Sequence, residues 1–253
     1  MERKSKMKWL RRGLAITLFV LLAVFLAHDL TMHVLAWRFI QETAKDSPHL
    51  NVVPTPLPDN RNAPLSGMTI SAYEYSLKVP WSDLDVQKKG KSVSWLRFKS
   101  GAAVTLSNPA NETDFARTMR GNNEAEKRES ERLFGARALS SSYDLMAAEL
   151  SATPSQVKWW STRATKARYL VLLSMKSMEI IDTQVIYWQG SSEMRGFQLG
   201  SPVQAPYRVE LDLFDRNGRR YKILIASADR THAVMTQAEV NSIVASLVPI
   251  PHS

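Results

Sequence analysis

Residues 13–36 have the sequence GLAITLFVLLAVFLAHDLTMHVLA, and residues 13–27 at its start carry no charge. A helix of those fifteen residues rises only about 22 Å, less than the roughly 30 Å hydrocarbon core of a bilayer. Extension to Ala36 gives about 36 Å, which is long enough to span the core with some tilt. Trp9 and Trp37 flank the segment, as aromatic residues commonly do at the two membrane interfaces. The sequence therefore predicts a transmembrane anchor over residues 13–36.

The charge around this segment predicts its orientation. Residues 1–12 (MERKSKMKWLRR) hold six basic side chains and one acidic side chain, whereas the charges that follow Trp37 are mixed. Because basic flanks stay on the cytoplasmic side, we predict a basic cytoplasmic tail over residues 1–12 and an extracytoplasmic remainder. The protein is thus expected to be a single-pass membrane protein of the cell envelope, with a signal-anchor and the lipid bilayer as a partner. A cleaved signal peptide is the alternative, which the bulky Phe25 near the end of the apolar run disfavours.

Two ionisable residues, Asp29 and His33, lie in the outer turn of the predicted span. They are four positions apart on a helix and can pair with each other. An ionised group in the middle of a membrane is costly, so we favour a shallow, interfacial position for both. A second hypothesis makes them an intramembrane polar pair that serves a proton path or a partner helix.

A proline-rich connector follows the predicted span. Residues 37–66 contain five of the chain's twelve prolines, three of them at alternate positions in the sequence PTPLP. Prolines at this spacing form neither a helix nor a central strand, so we predict a stalk and an extended linker. Residues 67–253 are numerous enough for one domain with its own core. We predict that this range is an extracytoplasmic α+β domain.

Local signals predict the fold class of that domain. Asn217-Gly218 stands between two alternating apolar runs, which is the strongest short-range signal for a hairpin, and residues 92–106 form a second predicted hairpin. Residues 68–79 alternate as a single half-buried strand. Helical patterns occupy residues 113–178, and a T-x-x-E capping box precedes a terminal helix. These elements predict an α+β fold in which helices cover an antiparallel sheet.

One helical pattern has two interpretations. From Val157 onward apolar residues recur every three or four positions, on one helix or on two helices broken near Ser161, and Trp160 belongs to this stripe. Trp159 and Trp160, with Lys158 and Arg163 nearby, could serve as a stacking platform for nucleic acid. The favoured interpretation is a buried helix face with a basic outer face, since such stripes are typical of core-facing helices. We therefore predict that the tryptophans pack in the core.

The composition and the motifs exclude several chemistries. The chain has no cysteine, and His232 is the only histidine between residues 67 and 248, which hold the predicted helices and strands, so thiolate and histidine-rich metal sites are not expected. The sequence contains no H-E-x-x-H motif, no G-x-S-x-G motif and no phosphate-binding glycine loop. Of the net charge of +9, residues 1–12 supply +5, six basic minus one acidic. We predict no cofactor, no metal and no nucleic-acid partner.

Two classes of function remain, and the non-catalytic one is favoured. In it the α+β domain binds a partner or ligand, with other envelope proteins as the expected partners. Residues 194–207 combine two glycines, two prolines and two aromatic residues, and loops carry function more often than cores. Arg195, Phe197 and Gln198 are therefore the predicted binding surface. In the alternative interpretation Gly196 marks a β-bulge and Phe197 lies in the core.

The second class is an envelope hydrolase with dispersed catalytic carboxylates. Paired acids need no local spacing, so the sequence does not indicate which residues would act. The features that would favour it are converging carboxylates in a cleft, or a serine and a histidine in contact near His232.

Overall fold

The computed structural model describes residues 30–112, 114–180, 184–229 and 231–250. The chain divides into two compact units, each built from two separate parts of the sequence. The first unit comprises Met1–Val53 and Ala116–Asp182, and the second comprises Pro54–Phe115 and Thr183–Ser253. Residues after position 67 therefore contribute to both units. The boundaries predicted for the tail, anchor, linker and domain stay a prediction.

The first unit is helical. Its helices are α1 (Leu30–Asp46), α2 (Phe115–Arg120), α3 (Glu124–Phe134), α4 (Ser142–Ser151) and α5 (Arg163–Glu179), with 3₁₀ turns at Pro48–Asn51 and Pro154–Gln156. Polar residues begin three of these helices, because the side chains of Asn123, Ser141 and Thr162 accept hydrogen bonds from backbone N–H groups of the first turn. Gly135 ends α3 with a φ of 87°, a conformation that suits glycine.

Helix α1 corrects the membrane prediction. Ala36 and Ile40 on this helix are buried in the apolar core of the helical unit, with Leu170 and Leu173 of α5. The end of the predicted span thus packs against protein, and its helix continues into the charged sequence QETAKD. Among the residues that the structure describes, no helix is long and apolar enough to cross a membrane.

The predicted transmembrane signal-anchor and the single-pass location with an extracytoplasmic domain are therefore wrong. Residues 13–29 of the predicted anchor lie outside the described residues. The same holds for Asp29, whereas His33 lies on α1 with only its backbone described. The hypothesis of an intramembrane pair concerns two side chains that both lie outside the described part of the chain.

The second unit is built on a large sheet. Its strands are β1 (Pro54–Thr55), β2 (Thr69–Ala72), β3 (Tyr75–Lys78), β4 (Leu84–Lys89), β5 (Val93–Phe98), β6 (Ala102–Ser107), β7 (Ile186–Gly190), β8 (Arg195–Leu199), β9 (Arg208–Phe214), β10 (Arg220–Ser227) and β11 (Val248–Pro249). Eight of them form one sheet in the order β1-β7-β8-β9-β10-β6-β5-β4, and β11-β3-β2 form a second sheet. Neighbouring strands of the large sheet are antiparallel except for β1 and β7. The prediction of a mixed α+β fold with a large antiparallel sheet and helices is confirmed.

The core of this unit lies on one face of the large sheet. Alternate residues of β6, β9 and β10 are fully buried there, together with residues of the smaller sheet and of helix α6 (Gln237–Ser246). The ring of Tyr75 on β3 packs edge-on against that of Tyr221 on β10, with centroids 5.2 Å apart. This contact joins the small sheet to the large one.

The predicted single strand over residues 68–79 is instead the hairpin of β2 and β3. Tyr73 at the turn has a φ of 57°, in the left-handed region. Its hydroxyl donates to the carbonyl oxygen of Gly90 at 3.0 Å, and the ammonium of Lys89 lies 5.6 Å from its ring. The turn at Tyr73 is thus supported by contacts with the hairpin of β4 and β5, and the alternating sequence of residues 68–79 does not indicate it.

The part of the proline-rich connector from Pro54 onward belongs to the second unit, whereas residues 37–53 belong to the first. Strand β1 pairs in parallel with β7. Further along, the side-chain amide of Asn241 on α6 donates to the carbonyl oxygens of Asp59 and Arg61, and the Ser242 hydroxyl donates to that of Ala63. These hydrogen bonds fix the segment 59–63 to α6 as a strap.

Candidate functional site

The predicted binding surface lies on strand β8. Arg195 is exposed, whereas Phe197 and Gln198 are fully buried. Because successive side chains of a strand point to opposite faces, Phe197 and Gln198 lie on opposite sides of the sheet. The structure thus does not bring the three side chains together on one surface. A binding role for Arg195, Phe197 and Gln198 stays a prediction.

Packing accounts for the buried members of this set. The ring of Phe197 lies 5.0 Å from that of Trp188 on β7, in agreement with the alternative interpretation that it belongs to the core. No bulge occurs at Gly196, because residues 195–199 pair in continuous register with β9. A Cβ at Gly196 would lie 1.9 Å from the carbonyl oxygen of Asp212, so glycine permits close approach of the two strands.

Gln198 belongs to a buried cluster of side-chain amides. Its Nε2 donates to Gln237 Oε1 at 2.9 Å, and Gln189 Nε2 donates to Asn241 Oδ1 at 3.2 Å. Gln237 Nε2 also donates to Asn241 Oδ1 at 3.1 Å. Buried amides that satisfy one another specify packing, so this cluster is a structural link between the sheet and α6.

Two buried carboxylates on β9, Glu210 and Asp212, are neutralised by basic neighbours. Glu210 forms ion pairs with Arg208 at 2.7 Å and Lys222 at 2.6 Å. Asp212 is fully buried and pairs with Arg220 at 2.7 Å. These ion pairs fix both side chains within the sheet, where each carboxylate already has a basic partner.

His232 is the other candidate for catalysis. It is exposed, and its Nδ1 lies 3.3 Å from Asp229 Oδ2 and 3.2 Å from the Thr231 hydroxyl. Within the described ranges, no serine hydroxyl forms a hydrogen bond with His232. The Ser–His contact that would favour a hydrolase is therefore missing from this part of the chain.

Lys176 on α5 is a fully buried amine in the helical unit. Its Nζ donates to the carbonyl oxygens of Leu50 at 3.1 Å, Val52 at 2.6 Å and Ala152 at 2.7 Å. Burial lowers its pKa to about 8, while the nearby Glu149 carboxylate opposes that shift. The ammonium thus donates all three of its hydrogen bonds to backbone carbonyl oxygens. Lys176 thereby connects α5 to the segment 50–52 and to Ala152.

The tryptophan pair, Trp159 and Trp160, is the most exposed aromatic feature of the described residues. The two side chains are 61% and 67% exposed. Their ring centroids lie 5.6 Å apart and their planes are nearly perpendicular, at 88°. The prediction that they pack in the core is wrong.

Hydrogen bonds within the turn and from a lysine of α5 hold the backbone that carries this pair. The backbone N–H of Lys158 donates to the Ser161 hydroxyl at 2.9 Å, and the N–H of Ser161 donates to the Lys158 carbonyl at 3.0 Å. From beneath, the Nζ of the buried Lys166 donates to the carbonyl oxygen of Trp159 at 2.6 Å. The backbone is thus held in place while both indoles remain exposed.

Helix α5 explains the error. Its buried face carries Lys166, Leu170, Leu173 and Lys176, so it includes two lysines that the apolar pattern assigns to solvent. Because the lysines face inward, the buried face of the helix is rotated relative to the predicted apolar stripe. The helix also begins only at Arg163. Trp159 and Trp160 then fall in the preceding turn. The N-cap residue Thr162 was the available sequence signal, since a Ser or Thr before a helical run indicates its start.

The surroundings of the pair are basic. Residues 150–178 contain no acidic residue and five basic ones, of which Lys166 and Lys176 are buried. Lys158 and Arg163, which flank the pair, are exposed. Burial lowers the pKa of Lys166 beneath the turn. The turn therefore presents two apolar rings between positive charges.

Comparison with known proteins adds no family. Nothing among the protein-family models, the curated proteins and the solved structures matches this chain. Function is therefore inferred from the geometry and chemistry of its side chains.

Proposed function

We propose that this chain is a non-catalytic binding protein that holds a partner protein through Trp159 and Trp160. The exposure of both indoles on a fixed turn carries the proposal. Tryptophan is highly buried on average in folded proteins and is enriched among the residues that dominate binding energy. Two adjacent, largely exposed tryptophans are therefore more typical of an interface than of a free surface.

The energetics favour binding at this pair. Burying an indole removes roughly 150–250 Å² from water, and each Å² contributes about 25 cal/mol. Two indoles thus supply several kcal/mol against the cost of association. The hydrogen bonds of the turn fix the backbone before binding, so little further backbone entropy is lost when a partner docks.

The alternative, a hydrolase with dispersed carboxylates, has less support. The buried carboxylates Glu210 and Asp212 are each paired with a basic side chain. The contacts of His232 are with Asp229 and Thr231. Neither group resembles an acid–base pair poised around a substrate.

Photo-crosslinking in cells of the source organism tests the proposed function. A photoreactive amino acid replaces Trp160 in the full chain, and a second version carries it at Val203, which is also exposed. We expect one defined adduct from position 160. Trp159→Ala should suppress this adduct, and an excess of the chain without the photoreactive residue should compete it away. The same adduct from Val203, or an adduct unaffected by Trp159→Ala, would overturn the proposal.

A further inference from the structure

The charges around the tryptophan pair point to the chemistry of the partner, an inference that rests on the proposed function. We propose that the pair binds an acidic segment of a partner protein, with an apolar side chain in the corner that the two edge-to-face indoles form and carboxylates against Lys158 and Arg163. The partner is thus defined by alternating acidic and apolar side chains.

Charge complementarity is the first support. No acidic residue lies between positions 150 and 178, and two of the five basic residues there, Lys166 and Lys176, are buried. Lys158 and Arg163, which flank the pair in the sequence, are exposed. A negatively charged segment is attracted to such a surface, and a positively charged one is repelled.

The ring geometry favours a peptide over single-stranded nucleic acid. Nucleic acids bind aromatic platforms by stacking successive bases on them. Trp159 and Trp160 are nearly perpendicular, at 88°, so they do not offer two parallel faces for consecutive bases. Two rings at a right angle form a corner, and a branched aliphatic side chain fills a corner better than a flat base does.

A second copy of this chain is a poor occupant for the same surface. A symmetric contact through the pair would bring Lys158 and Arg163 of one copy close to the same residues of the other. Like charges that face each other across an interface oppose association.

A titration of the full-length chain tests the inference. The probes are three: a short synthetic peptide of glutamate and leucine, the same peptide with lysine in place of glutamate, and single-stranded oligothymidylate. NMR signals of the indole N–H groups report binding, and Trp159→Phe and Trp160→Phe assign the two relevant signals among the seven tryptophans. A Lys158→Glu and Arg163→Glu double variant reverses the local charge. Lys45→Glu with Arg128→Glu changes the same net charge at exposed positions of the same unit.

We expect the glutamate–leucine peptide to shift both indole signals and to bind at least about tenfold more weakly to the Lys158 and Arg163 variant. Affinity should also fall as salt increases, because exposed charges are screened, while the Lys45 and Arg128 variant binds as the wild type does. Equal binding of the lysine peptide, tighter binding of oligothymidylate, or equal loss in the Lys45 and Arg128 variant would overturn the inference.

The photo-crosslinking assay separates this inference from the proposed function. An adduct that Trp159→Ala suppresses but charge reversal leaves unchanged would support the tryptophan pair and refute the acidic partner. An adduct insensitive to Trp159→Ala refutes the proposed function itself. Loss of the adduct in both variants, with the Lys45 and Arg128 variant unaffected, would support both.

Discussion

The side-chain amide of Asn241 lies 2.8 Å from the carbonyl oxygen of Asp59, a residue 182 positions earlier in the chain. The same Nδ2 donates to the carbonyl oxygen of Arg61 at 2.9 Å. On its other side, Asn241 Oδ1 accepts from Gln189 Nε2 at 3.2 Å. One residue of α6 therefore joins the strap to the buried amides of the sheet.

Replacing Asn241 with alanine should release the strap. The variant loses donors to two carbonyl oxygens and an acceptor for buried amides, so we expect the free energy of unfolding to fall by about 1–3 kcal/mol. The N–H of Ala63, which donates to the Ala238 carbonyl, should exchange with solvent faster than in the wild type. Hydrogen exchange and urea unfolding measure the two effects. Asn62→Ala, at an exposed position of the strap, is the matched control, and unchanged Ala63 exchange in Asn241→Ala would contradict the assigned role.

Gly196→Ala should be strongly destabilising. The added Cβ would lie 1.9 Å from the Asp212 carbonyl oxygen and 2.8 Å from the Leu213 Cα, so β8 and β9 must separate. We expect a loss of at least about 3 kcal/mol of unfolding free energy, the upper range for overpacking. Gly218→Ala gives the comparison, because nothing lies within 4 Å of its Cβ and only its φ of 80° opposes the substitution. That variant should lose about 1–2 kcal/mol, and an equal loss in both variants would show that the strand contact is unimportant.

Lys176 should give the stability of the helical unit a distinct dependence on pH. Its folded pKa of about 8 lies below the ordinary value of 10.5. Between these values the unfolded chain binds more protons than the folded chain, so the contribution of Lys176 to the free energy of unfolding rises with pH. The cost of burying the charge is fully present below pH 8 and is relieved as pH rises towards 10.5.

Urea unfolding of the wild type and of Lys176→Met across this pH range measures the effect. The wild type should gain stability relative to the variant by up to about 1.4 kcal/mol for each unit of pKa shift. Lys45→Met, at an exposed position of the same unit, should show no such trend. A constant difference between wild type and Lys176→Met would contradict the lowered pKa.

The sequence predicts features that depend on neighbours in the chain. The Asn217-Gly218 signal is confirmed, because β9 and β10 pair across this turn. The capping box of Thr236 and Glu239 begins α6 as predicted. In both cases the residues that determine the conformation lie within a few positions of one another, so a local pattern is sufficient.

The features that the sequence misses depend on distant partners. Lys176 faces inward because carbonyl oxygens of Leu50 and Val52, more than 120 positions away, accept its hydrogen bonds. A pattern of polar and apolar residues assigns a lysine to solvent and therefore rotates the buried face of α5. That rotation placed Trp160 in the core, and so the candidate site is the part of the chain that local signals predicted least well.

Because Trp159 and Trp160 are largely exposed, neither should contribute much to the stability of the helical unit. Trp159→Ala and Trp160→Ala should each change the free energy of unfolding by less than about 1 kcal/mol, since little apolar area returns to water when an exposed side chain is truncated. Phe134→Ala in the same unit should lose about 3–5 kcal/mol, because Phe134 is only 6% exposed. Chemical denaturation of the three variants makes the comparison. Losses of several kcal/mol in the tryptophan variants would mean that the indoles pack within the unit and are not available to a partner. With small losses, any effect of Trp159→Ala on crosslinking reports binding and not unfolding.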